Sequence, residues 1–409
     1  MNKIMYLAMK TSGAQIGILF LYENLDNIKE SKIIPVIKVN QEGKIIKDEI
    51  TYPKILIEKT VTTSKAQLIE NFEKENIDEE LKTKIKSIIT VPVRTSQKIL
   101  GAIYLDNREV KGVFSKEKFE LLKAFATQAA ISIENARLYK QIQEKARIEQ
   151  EMEIAKDIQT SILPAIYDNQ YYDISGFMRT ATEVGGDYYD IYLKDEPYFG
   201  VFGDVSGHGL KSGLVMMMAE VSFNTVMKDQ DVKLKSIEYI YQIINKTLYE
   251  NIQERLSKKS IKGGYSHMYM TFRLFRFDKN GNFQMFGNDH AEPFICRTDG
   301  SVTPIPSSGF LIGIVEDAVM KGVPYSFKLD KNDILVLYSD GITEAKSTSK
   351  DVKNNEKVRE MFGEDRLYEV VSKNRDKTAS EIIKEIINSV DAFMAEQEDD
   401  ITLLIIKKK

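Results

Sequence analysis

The pattern of apolar and polar positions divides the chain into three stretches. In the first, Ile4, Met5, Leu7 and Ala8 fall at helical spacing, and Gly13-Ala14 ends that helix. Runs of β-branched and aromatic residues predict strands over 15–22, 33–39, 88–94 and 98–107. After Phe114-Ser115, with Ser115 as N-cap, a long helix begins, and Leu121, Leu122, Phe125, Ala126, Ala129 and Ala130 give it an apolar face. In the second stretch, 134–164, the helix runs on through Leu138, Ile142, Ala146, Ile148, Met152, Ala155, Ile158 and Ile162. Spacings of three and four dominate, but the heptad phase slips between Ile142 and Ile148, which predicts a parallel dimeric helix with a discontinuity, ending at Pro164. The third stretch mixes both periods. Strands are predicted over 188–193, 198–202, 268–277, 282–286, 293–297, 334–338 and 401–406, and helices over 210–227, 234–251, 363–373 and 379–395. Asp278-Lys279-Asn280-Gly281 supplies a hairpin turn, and Met216-Met217-Met218 reads as a buried helix face rather than a ligand site.

Four of the strand ends in this last stretch carry aspartate. The run 198–202 delivers Asp204 into the glycine-rich turn Gly203-Asp204-Val205-Ser206-Gly207-His208-Gly209. A carboxylate at the end of a buried strand is costly unless paired or bound to a metal. Upstream, Gly185-Gly186-Asp187 opens the run 188–193, and Lys194-Asp195-Glu196-Pro197 is a turn by composition. Folding this as a hairpin about Asp195 and Glu196 sets Asp187 opposite Asp204. Paired residues on antiparallel strands have Cβ atoms roughly 4.5–5.5 Å apart. Two such carboxylates either face water or repel, unless one is protonated or a divalent cation lies between them. The run 334–338 leads to Asp340-Gly341, and Asp399-Asp400 opens the run 401–406. Hard oxygen donors of this kind suit Mg²⁺ or Mn²⁺, and two such ions about 3.5–4 Å apart clamp a phosphoryl group for in-line displacement.

Composition narrows the classes. A length of 409 residues suggests two or three domains, and 43% apolar residues suffice for real cores. The formal charge of −4, from 57 basic and 61 acidic residues, argues against a dedicated nucleic-acid surface. The single cysteine, Cys296, reads as a small core residue and fits a reducing compartment. No apolar run approaches the roughly 18 residues of a membrane span, and Met1-Asn2-Lys3 does not open a signal peptide. The expectation is a cytoplasmic protein.

From about residue 151 onward the chain resembles the SpoIIE/RsbU-type serine phosphatases, a branch of the metal-dependent protein phosphatase 2C superfamily. The matching motifs are Glu183-Val184-Gly185-Gly186-Asp187-Tyr188-Tyr189-Asp190, the seven-residue turn around Asp204, Tyr338-Ser339-Asp340-Gly341-Ile342-Thr343-Glu344-Ala345 and Asp399-Asp400-Ile401-Thr402, in the family order. The first stretch resembles a GAF domain through Ser87-Ile88-Ile89-Thr90-Val91-Pro92-Val93, the run Leu100 to Asn107, and the run Gln128 to Ala136. The resemblance implies an α+β chain: a GAF domain at 1–133 with a six-stranded antiparallel sheet, a helical connector at 134–164, and an α-β-β-α phosphatase sandwich at 165–409.

It also implies roles. Asp204 would bridge two divalent cations, Mn²⁺ or Mg²⁺, with a contribution from the Val205 carbonyl. Asp187 would bind one ion, partly through water, and Asp340 and Asp399 the other. Asp400 ranks below Asp399, and Asp190 is structural. His208 either protonates the leaving serine oxygen or fixes the turn. The implied reaction is in-line attack of activated water on phosphoserine or phosphothreonine, without a covalent enzyme intermediate.

The implied substrate is a phosphorylated STAS-domain anti-anti-sigma factor in a partner-switching pathway. The implied assembly is a homodimer through the GAF domain and connector. The GAF domain serves either as a dimerisation platform or as the sensor of a small-molecule ligand, and no cysteine or histidine lies in it to hold a bilin or haem. From another functional class, the alternative is a catalytically silent scaffold. A histidine kinase fits poorly, because His208, His267 and His290 all lie outside the connector. The sequence departs from the family pattern at Thr180, at 287–293 and at 311–314, and no phosphate-binding arginine is assigned beyond Arg179. The segment 254–266 reads as a loop beside the site, either a substrate flap or a surface excursion.

Overall fold

The computed structural model describes residues 2–25, 27–75, 79–163, 166–182, 184–256, 268–289, 291–319, 322–353 and 356–409. The chain forms two compact units, Met1–Arg147 and Ile148–Lys409.

The first unit is built on one antiparallel sheet. Its strands are β1 (Ile16–Tyr22), β2 (Ile33–Asn40), β3 (Gln67–Ile69), β4 (Ser87–Arg94) and β5 (Ile99–Asn107), in the order β2-β1-β5-β4-β3. Strand β5 runs through the middle and is apolar on both faces. Ala102 and Tyr104 pack with Leu56, Ile57 and Val61 of α2 (Lys54–Thr63). Ile103 and Leu105 pack on the opposite side with Leu122, Ala126, Ala129 and Ala130 of the long helix. The expected sheet had six strands; among the described residues it has five. The stretch after β2 reaches the sheet only through an isolated bridge between Val39 and Ile45.

The long helix, Lys116–Ile162, runs for 47 residues, and Pro164, its expected end, lies outside the described residues. Past Ile133 its apolar side chains are exposed: Leu138, Ile142, Ile148, Ile154, Ile158 and Ile162.

The second unit is an α-β-β-α sandwich. One sheet has five strands in the order β14-β11-β10-β9-β8: β8 (Tyr188–Tyr192), β9 (Tyr198–Gly203), β10 (Phe272–Phe277), β11 (Asn282–Asn288) and β14 (Tyr325–Lys328). The other has six in the order β13-β12-β15-β18-β7-β6: β6 (Ile166–Asp168), β7 (Tyr172–Arg179), β12 (Phe294–Cys296), β13 (Val302–Pro304), β15 (Ile334–Tyr338) and β18 (Ile401–Lys408). Between the sheets lie Ile174, Phe202, Phe275, Leu335, Leu337, Leu404 and Ile406. On the outer face of the first sheet, Phe199, Val201 and Leu274 pack under the helices Leu210–Lys228 and Ile237–Tyr249. On the outer face of the second, Ile334, Val336, Leu403 and Ile405 pack under Gly363–Lys373 and Ala379–Phe393.

Central strands covered on both faces must be apolar at every position, which is why β15 and β18 read as unbroken hydrophobic runs. Polar chemistry is therefore confined to strand ends. Cys296 and Met216 are buried, as expected. The turn 278–281 joins β10 to β11, with Gly281 at φ +90°.

Gly203 at the end of β9 shows how closely the strands must approach. A Cβ there would stand 2.1 Å from the backbone oxygen of Thr271. At Gly207 (φ +84°) no atom lies within 4 Å of an added Cβ, so only backbone conformation favours glycine. Gly203→Ala should therefore lower urea-unfolding stability by at least about 1–3 kcal/mol, while Gly207→Ala costs no more than about 1–2 kcal/mol. Equal losses in the two variants would contradict this account of the β9–β10 contact.

Candidate active site

Strands β8 and β9 pair from Tyr188↔Gly203 to Tyr192↔Phe199. One step beyond that ladder, Asp187 faces Asp204, in the register the hairpin pattern predicts. The Asp204 backbone is fixed by Thr271, whose Oγ1 accepts from the Asp204 N–H at 2.8 Å and whose N–H donates to the Asp204 carbonyl at 2.7 Å. A Cβ on Gly186 would come within 3.0 Å of the Val205 carbonyl oxygen and 3.2 Å of Asp204 Oδ1. The missing side chain leaves an oxygen-lined cradle there.

The second sheet brings its own acids. Asp340 follows β15, and Asp399-Asp400 precede β18. Ser339 stitches these ends together: its Oγ donates to the Asp400 carbonyl at 3.0 Å and accepts from the Thr402 N–H at 2.9 Å. The next glycine is required by space, since a Cβ on Gly341 would stand 2.1 Å from the Asp400 carbonyl oxygen. The two adjacent aspartates divide their tasks. Asp400 is buried, with Oδ1 accepting from the Ala181 N–H and Oδ2 from the Gly186 N–H, each at 2.7 Å. Asp399 is exposed, and its Oδ1 accepts the Asp400 N–H at 2.8 Å.

The electrostatics are those of uncompensated burial. Both carboxylate oxygens of Asp187 are buried and lack a hydrogen-bond partner, as does Thr402 Oγ1. Burial, then the charge of Asp400, pushes the Asp187 carboxyl well above its ordinary 3.8; Thr402, Ser339 and Asp204 lie near enough to oppose that shift, but none makes a well-formed bond to it. Asp204 is also raised, first by burial and then by the charges of Asp187, Asp340 and Asp399. Among the described residues no three acidic, imidazole or thiol side chains converge tightly enough to hold a metal ion as they stand. The donor set nonetheless fits a hard cation: all-oxygen, with orphaned buried oxygens on Asp187 and an open cradle at Gly186. Binding one requires the mutually repelling carboxylates to draw inward.

Comparison with known proteins decides the family. Residues 194–409 match the family model described as "Stage II sporulation protein E (SpoIIE)". The chain belongs to the SpoIIE family. Residues 1–133 match the GAF domain model. Protein IcfG of Synechocystis sp. is 28% identical over 280 residues, covering 63% of this chain and 41% of its own length. Phosphoserine phosphatase RsbU of Bacillus subtilis is 22% identical over 265 residues, covering 64% of this chain and 71% of its own. The SiaA PP2C domain of Pseudomonas aeruginosa shares the fold, with a TM-score of 0.50 and 18% identity over 64% of this chain and 98% of that domain.

The remaining SpoIIE-type residues sort as follows. Val205 is buried, and its N–H donates to the Gly186 carbonyl at 3.3 Å. His208 is exposed on the turn. Asp190 is structural: its carboxylate accepts from the Ile191 N–H at 2.7 Å and from Asn224 Nδ2 at 3.0 Å. Arg179 is committed elsewhere, its guanidinium forked on Asp391 at 2.6 and 3.1 Å with Nε on Gln397 at 2.8 Å. Glu183, His290 and most of the 254–266 loop lie outside the described residues.

Sequence reasoning missed Thr271, Ser339, the backbone-clamping role of Asp400, and the buried Gln159, whose Nε2 donates to the Gly185 carbonyl at 2.7 Å and whose Oε1 accepts from the Gly185 N–H at 3.0 Å. A polar residue inside an apolar run signals the first two only weakly. The Asp399-Asp400 doublet does mark a place where one acid can serve structure and the other chemistry.

The sign of the pH dependence follows from the raised carboxyls. The unfolded chain ionises them near 3.8, whereas the folded chain holds their protons to higher pH. Without metal the folded state binds more protons, so this contribution to stability is lost as pH rises above the ordinary carboxylate range. Metal must displace those protons. Calorimetric titration of Mn²⁺ should therefore show affinity rising between pH 6 and 8, by up to about tenfold per pH unit for each proton displaced, with proton release. A pH-independent affinity would contradict the protonated pair.

Proposed function

We propose that this chain is an active metal-dependent phosphatase acting on phosphoserine or phosphothreonine in a STAS-domain partner protein. The reading rests on one observation above the others: Asp187, buried with both carboxylate oxygens unpaired, is held facing the half-buried Asp204 at the SpoIIE-family motifs. In this reading Asp187, Asp204, Asp340, Asp399 and the Val205 carbonyl hold two divalent cations, Mn²⁺ or Mg²⁺. When bound, such ions neutralise phosphoryl charge and acidify water. Asp400 and Thr271 keep the two sheet ends aligned. His208, exposed at the rim, is the group available to protonate the leaving serine oxygen.

The proposed organisation is a GAF domain at 1–133, a connector at 134–164 and the catalytic domain at 165–409. The exposed apolar residues of the long helix support a homodimer through this connector and the GAF domain. The GAF domain would regulate the enzyme, as a dimerisation platform or through a small ligand. No described helix is long and apolar enough to cross a membrane, and the proposed site of action is the cytoplasm. RsbU carries the name phosphoserine phosphatase, which supports the substrate class.

Phosphate release from a phosphoserine STAS-domain protein should require Mn²⁺ or Mg²⁺ and fall more than about a hundredfold in Asp204→Asn. The same variant should melt higher than the metal-free parent, because it removes one of two repelling buried charges. No release from the parent protein would favour the silent scaffold.

Ile158 is exposed on the helix approaching the catalytic core. Ile158→Ala should change phosphate release several-fold while leaving the melting temperature within about 2 °C, since a solvent-facing truncation has little folding cost. Unchanged release would remove the connector from the proposed regulation.

A further inference from the structure

The Asp340 motif does not lead straight into the helix Gly363–Lys373. Between them the chain makes a ribbon of two antiparallel strands, β16 (Lys346–Lys353) and β17 (Glu356–Met361), which form a sheet of their own. The base of the ribbon is fixed beside the candidate site. The Phe362 N–H donates to the Ala345 carbonyl at 2.9 Å, and the Ala395 N–H donates to the Lys346 carbonyl at 2.9 Å. Lys346 Nζ forms an ion pair with Glu398, and Arg359 Nη1 lies 4.0 Å from the same carboxylate, one residue before Asp399. The ribbon thus rises from the sheet end that carries Asp340 and Asp399.

Its register sorts the charges by face. Lys350 stands opposite Arg359 and Val352 opposite Lys357, whereas Asp351 stands opposite Val358 and Lys353 opposite Glu356. Alternate positions of a strand share a face. One face therefore carries Lys350, Lys357 and Arg359 with Val352 and no acid, while the other carries Lys353 with Asp351, Glu356 and Glu360. Like charges directly opposite each other are destabilising, and a two-stranded ribbon has little stability to spare. The Lys350–Arg359 juxtaposition is costly in the free protein, and an anion laid along that face relieves it. The base itself is acidic: Glu344, Glu396 and Glu398 line a cleft of about 180 Å³ with Lys346 and Asp399. Anionic side chains of a partner are thus repelled at the base and attracted further along the ribbon.

We propose that the face bearing Lys350, Lys357 and Arg359 is a docking surface for the protein substrate, and that it takes acidic residues flanking the phosphoserine. This rests on the reading of the chain as a phosphoserine phosphatase and adds the class of sequence it selects. Charges at the rim of an interface act on encounter and selectivity and are screened by salt. The contribution of the ribbon therefore falls on KM and on the salt dependence of kcat/KM, not on the chemical step.

The test uses the full-length chain with Mn²⁺ and three substrates: two synthetic phosphoserine peptides that differ only in carrying Glu or Lys beside the phosphoserine, and p-nitrophenyl phosphate, which is too small to span the ribbon. The parent should favour the glutamate peptide by about tenfold or more in kcat/KM, and the preference should shrink as salt is raised from about 50 to 500 mM. Lys350→Glu should reduce the preference several-fold through KM. The same variant sets Glu opposite Arg359, so amide hydrogen exchange over 346–361 should slow. Weaker docking on a firmer ribbon is a combination that a merely structural role would not produce. Lys353→Glu makes the same charge change on the other face and should leave the preference within about twofold. Turnover of p-nitrophenyl phosphate should be parent-like in both variants. No preference in the parent, or an equal loss in Lys350→Glu and Lys353→Glu, would overturn the inference. So would a preference untouched by Lys350→Glu, since the cations would then only balance the acidic rim. No phosphate release from any of the three substrates by the parent would instead overturn the phosphatase reading on which the inference rests.

Discussion

A buried carboxylate held facing a half-buried one sets the terms for the rest of the catalytic unit. Asp187 and Asp204 occupy facing positions just past the β8–β9 ladder, where water is largely excluded. Desolvation alone disfavours their charged forms, and each worsens the other. A protein indifferent to this pair would relieve it with a lysine or arginine. Among the described residues no cation is bonded to Asp187. The neighbouring groups instead fix the backbone and leave the carboxylate oxygens unsatisfied. Thr271 fixes the peptide groups of Asp204, and Asp400 spends both its oxygens on the amides of Ala181 and Gly186. Without metal the pair holds protons instead of full charge, and a small hard cation would take the place of those protons.

That storage is possible because of the layers around it. The outer helices cover both sheets, so the central strands are apolar on each face and rigid along their length. Strand ends are the only places where a carboxylate can be presented with its backbone held by a ladder. Three glycines then control how closely the ends approach. Gly203 admits the Thr271 carbonyl, Gly341 admits the Asp400 carbonyl, and Gly186 leaves space against Val205 and Asp204. Larger residues at the first two would push the sheet ends apart, and one at the third would occupy the cradle.

Much of this was legible beforehand, for identifiable reasons. The Asp187–Asp204 apposition follows from counting along a five-residue turn, because antiparallel register has period two and tolerates no slip when both faces are buried. The all-apolar run 334–338, and the run 401–406 interrupted only by Thr402, announced central strands. Strand β7 was missed because Asp173, Ser175 and Gly176 break its apolar pattern, although it pairs with β18 over its whole length. Edge strands Val302–Pro304 and Tyr325–Lys328 are short and half exposed, so they carry little pattern at all. The helix expected over 234–251 continues as a π-helical turn, Glu250–Leu256, whose widened hydrogen bonding has no mark in a 3.6-residue period. Family motifs pointed to the acids, but not to the threonine, serine and glutamine that hold the backbone beneath them. Those roles depend on tertiary register that the local sequence does not encode.

The connector illustrates the same separation most sharply. Its apolar positions Ile158 and Ile162 have the spacing of a packing stripe, and a reading by hydrophobicity assigns them the contact with the catalytic unit. They are exposed, and the polar residue between them is the buried one. The physical reason is the partner surface. The Gly185 peptide presents a donor and an acceptor side by side, and an aliphatic side chain there would leave both unsatisfied at a cost of about 1–3 kcal/mol for each group. Glutamine matches both, and only from one rotation of the helix. Successive residues on a helix are about 100° apart, so Gln159 and Ile158 cannot face the same way. One turn of helix therefore carries two distinct surfaces, an apolar one open to another helix and a polar one locked to the backbone beside Asp187.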